Sequence, residues 1–176
     1  MAKVNSLYEF IIRYGYAGIF LFLFYEGTGM PGPVQIIFIA AAYLIKKGSL
    51  NLFKVILYIT LGNLSGNILA YFVGRFKGKR FVKSLLKKLK VKEDVYRRIE
   101  RWYKNKGGYV VFISRLIGLP RTPAIWLSGV AGIDLIEYVV FCFLGDLVWA
   151  TIWTLMALYG FNGIAYIQKL LSKIVH

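Results

Sequence analysis

The sequence predicts an all-α integral membrane protein: inverted repeats, each a re-entrant helical hairpin followed by a long transmembrane helix, with amphipathic surface helices between the repeats and at the ends. Composition is the first reason. The chain has 176 residues, 58% of them hydrophobic, with 13 Tyr, 13 Phe and 4 Trp. A soluble domain of this length buries only about 70% of its surface, so this much apolar material has to face lipid. The second reason is the unequal length of the apolar segments, and the third is an internal match between the two halves of the chain.

Taken in order, YGYAGIFLFLFY (14–25) and VQIIFIAAAYLI (34–45) are too short to cross. As helices they reach about 18 Å, against a hydrocarbon core of about 30 Å. EGTGMPGP lies between them, and its Gly29, Pro31 and Pro33 break a helix, so the pair reads as a hairpin that enters and leaves on one side. LFKVILYITLGNLSGNILAYFV (52–73) is long enough to span, and Gly62, Ser65 and Gly66 offer a close-packing face. The N-terminal stretch lacks the ordered basic, apolar and small-residue regions of a removed signal peptide.

The next segment changes character. Arg75 to Lys106 holds 14 Lys or Arg against Glu93, Asp94 and Glu100, which is +11 of the net +15. The positive-inside rule places this loop in the cytoplasm. Within KRFVKSLLKKLK, Phe81, Leu85 and Leu89 recur every four residues beside Val82 and Leu86, a helix suited to an anionic leaflet rather than to nucleic acid. A second helix, EDVYRRIERWYKNKGG, opens on acids and stops at Gly107-Gly108. The second half then repeats the scheme: YVVFIS, the break RLIGLPRTP with Gly118, Pro120 and Pro123, AIWLSGVAGI, and a long run from Leu135 to Phe161. IAYIQKLLSKIVH closes the chain as an amphipathic tail too short and too charged to cross.

A shift of 89 residues superposes Gly18 on Gly107, Gly29 on Gly118, Pro31 on Pro120, Ile36 on Ile125 and Ala42 on Ala131, and sets Glu26 on Arg115. A six-residue slip then aligns Gly62 with Gly145. Two copies whose long helices each cross once are related by an axis in the membrane plane, the arrangement in which broken helices meet around a central site. The domain reading is a single membrane domain: first repeat 10–75, basic linker 76–107, second repeat 108–163, and tail 164–176.

Chemistry narrows the candidates. The lone cysteine, Cys142, and the lone histidine, the terminal His176, leave no disulfide framework, no Cys-based metal site and none of the usual His-dependent catalytic sets. No metal and no cofactor is expected. Arg115 and Arg121 lie six residues apart across the Gly-Leu-Pro break, so they sit on opposite arms of a hairpin. An arginine at membrane depth costs several kcal/mol unless it meets water, carbonyls or an anion. A guanidinium fork suits phosphate, because it bonds in pairs and stays charged. The alternative is that both arginines snorkel to the surface. Glu26 reads as their counter-charge or as a water-exposed tip residue.

EGTGMPGPVQ, GNLSGNILAYFVGRFKG, RWYKNKG, FISRLIGLPRTPAIWLSGVAG and FLGDLVWA together resemble the successive motifs of the DedA family, whose eukaryotic relatives are the VTT-domain lipid scramblases. The resemblance covers roughly residues 10 to 163. It implies paired re-entrant hairpins and movement of lipids between leaflets, including recycling of undecaprenyl phosphate, with proton coupling in several members. The family's functional positions map onto Glu26, Arg115 and Arg121. Two departures stand out: Gln35 and Asn67 occupy places where many members carry acids, and both remove a titratable carboxylate. Asp146 is the remaining substitute for proton coupling, or else a helix-packing residue.

The resulting expectation is a non-enzymatic, multi-pass cell-membrane protein that translocates phosphate-headgroup lipids, with an anionic membrane surface as partner and no nucleic acid. A small-ion or drug/proton transporter is the alternative, and a membrane-embedded lipid-phosphate enzyme a further one. Homo-oligomerisation is left open.

Overall fold

A computed structural model describes residues 2–30, 32–88, 93–117 and 121–174, with side chains at all of these except 2–9, 85, 86, 96, 99, 104, 106, 115–117, 121–124 and 161–174. The described elements are helices: α1 (Ala2–Gly27), α2 (Val34–Lys46), α3 (Leu52–Lys88), α4 (Glu93–Lys106), α5 (Tyr109–Ile117), α6 (Arg121–Ala131) and α7 (Leu135–Ile174).

Glycine divides two of these helices. Gly15, at φ 52°, kinks α1, so its second arm is the short run 16–27. Gly78, at φ 73°, breaks α3, so the lysine-rich segment from Lys79 onward is a separate helix. Both dihedrals lie in the left-handed region, where a Cβ is strained. The amphipathic helix expected at KRFVKSLLKKLK thus begins at this break. Val82 on its apolar side is buried against protein and Phe81 stays exposed, while Leu89 lies outside the described residues and the side chains of Leu85 and Leu86 are not described. The C-terminal stretch read as an amphipathic tail is helical and continues α7 as far as Ile174. The helix runs unbroken from Leu135 to Ile174, since nothing after Gly163 in the sequence interrupts it.

Among the described residues, two stretches are long and apolar enough to cross a membrane: Leu52–Ser84 and Leu135–Gly160. The other apolar helices are short. The second arm of α1, α2, α5 and α6 rise about 14–20 Å each at 1.5 Å per residue, well under a hydrocarbon thickness. Three hydroxyls along the long helices are satisfied within their own helix: Thr60 donates to the Ile56 carbonyl at 2.8 Å, Ser65 to Leu61 at 2.7 Å and Thr151 to Leu147 at 2.8 Å.

α3 is the hub. It packs against α1 from its own half, α6 from the other half, and α7. Glycine makes this approach close enough for backbone contact. A Cβ on Gly62 would lie 2.6 Å from the Phe20 carbonyl oxygen. One on Gly66 would run into the carbonyl of Phe24, one on Gly74 into that of Trp126, and one on Gly129 into that of Tyr71. α7 receives α2 and α5 instead through side chains. Phe38 meets Trp149 edge-on at 5.1 Å, and Tyr109 meets Phe141 at 6.5 Å. One buried cluster, including Ile19, Leu23, Phe38 and Ile59, joins α1, α2, α3 and Ala150 of α7. A second, including Tyr71, Val82, Tyr103, Trp126 and Tyr138, joins the later part of α3 to α4, α5, α6 and the start of α7.

Candidate functional site

The two long helices begin alike. Asn51 Oδ1 caps α3, accepting from the N–H groups of Phe53 at 3.0 Å and Lys54 at 3.2 Å. Asp134 Oδ1 caps α7, accepting from Ile136 at 2.9 Å and Glu137 at 3.1 Å. Each start is also tied to the short arm of its own half. The Asn51 N–H donates to the Tyr16 hydroxyl at 2.7 Å, and the Gly108 N–H donates to Glu137 Oε1 at 2.8 Å.

With their starts fixed in this way, α3 and α7 meet at a buried polar cluster. Asp146 is fully buried and accepts from two amides of α3: Asn63 Nδ2 at 2.8 Å on Oδ1 and Asn67 Nδ2 at 2.9 Å on Oδ2. Both carboxyl oxygens accept here, so both asparagines turn their NH2 groups toward Asp146. Asn67 Oδ1 is thereby left buried without a donor. The backbone carbonyl of Asn67 accepts from the Tyr138 hydroxyl at 3.2 Å, and the Tyr138 ring stacks on Tyr71 at 4.7 Å. Tyr71 in turn donates to the Ile133 carbonyl at 2.6 Å and accepts from Arg75 Nη1 at 3.0 Å. A line of polar and aromatic contacts therefore runs along the α3–α7 seam, from Arg75 to the buried acid.

The residues singled out from sequence fall into three groups. Asp146 is at the centre of this cluster, bonded to α3. Glu26 is half-buried in the last turn of α1, one residue before Gly27, whose Cα hydrogens face the Asn63 backbone carbonyl. The turn after it uses Gly29 at φ 89°, with its N–H on the Glu26 carbonyl at 2.9 Å, and Pro33 stands at the N-cap of α2. Pro31 lies outside the described residues. Arg115 is on the last turns of α5, while Arg121 opens α6 with Pro123 in its first turn. The side chains of these three, together with Gly118 and Pro120, lie outside the described residues. The backbone thus brings both arginines to one break between two short helices. The expected meeting of Glu26 with Arg115 falls outside what is described.

Sequence reasoning missed Asn63, Tyr138 and Arg75, and noted Asn67 only as a lost acid. A signal for one of them was present. The 83-residue offset that aligns Gly62 with Gly145 also carries Asn63 onto Asp146, and these two matching residues bond to each other. Among the described residues no group of three His, Cys, Asp or Glu side chains is placed to hold a metal ion.

The VTT domain family matches residues 32–158 of the chain. The chain is 30% identical over 141 residues to the uncharacterized membrane protein YbfM of Bacillus subtilis, covering 80% of this chain and 87% of that one. It is 28% identical over 145 residues to undecaprenyl phosphate transporter A of Staphylococcus aureus, covering 80% and 71%. It is 25% identical over 179 residues to protein DedA of Escherichia coli, covering 96% and 80%. No solved structure matches it. The VTT-domain match spans most of the chain and coincides with its apolar helices, so this chain is a membrane protein of the DedA family.

Proposed function

We propose that this protein moves lipids with phosphate headgroups, undecaprenyl phosphate or a phospholipid, between the two leaflets of the membrane. The observation that supports the reading is that Arg115 lies near the end of α5 and Arg121 at the start of α6, on either side of the break between two helices too short to span. Two permanent cations at such a break call for an anion, and a lipid phosphate matches the paired donors of a guanidinium. The similarity to an undecaprenyl phosphate transporter supports the same class of cargo.

In this reading the short helices form two re-entrant hairpins in inverted repeats. The packing supports it, because α3 receives α1 from its own half and α6 from the other, while α7 receives α5 and α2. An axis relating the halves generates that exchange. Residues at matching positions touch each other only beside such an axis, and Asn63 and Asp146 do. The basic segment 76–107 then faces the cytoplasm and rests on anionic headgroups. Glu26, opposite Arg115 under the 89-residue shift, is the group through which protons couple to transport.

The test is reconstitution into liposomes with headgroup-labelled lipids, with and without a pH gradient. Wild type is expected to carry label across. Arg115→Lys and Arg121→Lys are each expected to lower flux by about tenfold or more without loss of folded protein, since a point charge does not reproduce the fork. Glu26→Gln is expected to remove the dependence on pH. Normal flux in both lysine variants ends the assignment, and proton or small-ion flux without lipid movement favours an ion or drug/proton transporter.

A further inference from the structure

Where α3 approaches the Gly78 break, it borders a polar pocket of about 350 Å³ lined by Tyr71, Phe72, Arg75, Gly132, Asp134 and Leu135. None of these residues belongs to the Arg115/Arg121 break. Arg75 donates to the Tyr71 hydroxyl at 3.0 Å, which fixes the guanidinium from one side, and it takes part in none of the ion pairs among the described residues. Asp134 supplies the opposite charge, with Oδ1 already occupied in capping α7. The rim beside these charged groups is apolar and faces outward: Phe76, stacked on Phe72 at 5.8 Å, is 79% exposed and Ile136 is 75% exposed. A polar pocket with one cation, under outward-facing apolar side chains at the end of a spanning helix, fits a lipid lying along the helix with its headgroup turned in.

We propose that this pocket is an interfacial subsite for the phosphodiester of a membrane phospholipid, with Arg75 binding the phosphate and Asp134 disfavouring a phosphate monoester. The inference rests on reading the protein as one that handles phosphate-headgroup lipids, and it separates the two cargo classes left together there. A phosphodiester carries one negative charge, whereas a monoester carries nearly two at neutral pH. The attraction to Arg75 grows in proportion to that charge and is reduced by Asp134. Arg75 and Asp134 stand exposed at this site, so a bound headgroup gives up only part of its hydration, and that partial loss is larger for the doubly charged monoester. A pocket whose own charges sum to zero therefore selects the singly charged headgroup.

The experiment is native mass spectrometry of delipidated protein titrated at pH 7.5 with phosphatidylglycerol and with phosphatidic acid of the same acyl chains. Wild type is expected to bind the diester more tightly. Arg75→Gln is expected to lose one bound lipid. Asp134→Asn keeps an N-cap residue, so α7 still starts correctly, and it is expected to shift the ratio toward phosphatidic acid by about three- to tenfold. A wild-type preference for phosphatidic acid, an unchanged ratio in Asp134→Asn, or an unchanged lipid count in Arg75→Gln overturns the proposal. Displacement of the lipid by millimolar inorganic phosphate would make the ligand a free anion and overturn it as well. None of these readouts is a flux, so a failure of lipid transport bears on the transport reading alone.

Discussion

The two spanning helices are held in different ways. Within its apolar window, α3 is 56% buried in the protein and α7 only 28%. α3 is seated backbone to backbone through Gly62, Gly66 and Gly74, whereas α7 presents rings such as Trp149 and Trp153 to its neighbours and leaves Ile152, Met156 and Tyr159 to lipid. The contrast shows what drives association once water is gone. Between apolar helices in lipid there is little hydrophobic gain, so close backbone approach has to supply it. α3, with partners from both halves, takes that route. α7 is less enclosed and meets α3 through side chains, Asp146 on the two amides and Tyr138 on the Asn67 carbonyl and the Tyr71 ring.

The largest effect is expected where backbone meets backbone. Gly66→Ala and Gly129→Ala each drive a methyl group into a carbonyl oxygen of the facing helix, and a backbone cannot step aside as a flexible side chain does. Each is expected to destabilise by about 2 kcal/mol or more, and to lower the amount of folded protein recovered in detergent. Gly160→Ala on α7 has nothing within 4 Å and is expected to be neutral. Equal thermal stability of Gly66→Ala and Gly160→Ala, measured by fluorescence-detected size exclusion after heating, would break the distinction between the two helices.

A smaller effect is expected at the crossing itself. Asp146→Ala leaves the NH2 groups of Asn63 and Asn67 without their acceptor, at a cost of about 1–3 kcal/mol. Asp146→Asn should lose much less. Its new NH2 group faces Asn67, whose Oδ1 has no donor, so turning the Asn67 amide over restores a bond. If the two variants melt at the same lowered temperature, the charge of Asp146 and not its capacity to accept holds α7 to α3.

Much of this contrast could be read from the sequence, and the rest fails for identifiable reasons. Helix starts at Leu52 and Leu135 follow from Asn51 and Asp134 as caps, and the shortness of the arms follows from the Gly and Pro around Gly29. The break at Gly78 is visible as the change from apolar to basic residues. The kink at Gly15 is not, because a glycine in an apolar run looks the same whether it packs or bends. The Asn63–Asn67–Asp146 cluster depends on the register between helices 79 to 83 residues apart, which periodicity within one helix does not encode. Only the match between halves pointed to part of it. The Arg75 pocket escaped for a similar reason: Arg75 reads as the first residue of a basic run, and only the fold sets it beside Asp134.

The smallest effect lies where the two helices leave the spanning region. α7 continues as one helix, while α3 bends at Gly78 and its last segment is tied to α4 by ion pairs, Lys79 to Glu100 at 2.6 Å and Lys83 to Glu93 at 2.8 Å. The hydrogen bond from Lys83 holds the Glu93 carboxyl below the usual carboxylate range, with the charges of Lys83 and Arg97 acting in the same direction and its slight desolvation opposing them. Because the folded value is the lower one, the contribution of this pair is complete above the ordinary carboxylate pKa and disappears as pH falls through the lowered value. The pair is exposed and salt-screened, whereas Val82 and Tyr103, buried in the cluster with Trp126, hold the hairpin onto α6. Lys83→Met is therefore expected to return Glu93 toward its ordinary titration in a carboxyl NMR experiment and to speed amide exchange at the start of α4. It should leave the melting temperature unchanged. A drop in melting temperature comparable to that of Asp146→Ala would mean that this end of α3 depends on its charges, and that backbone seating is not what distinguishes α3 along its whole length.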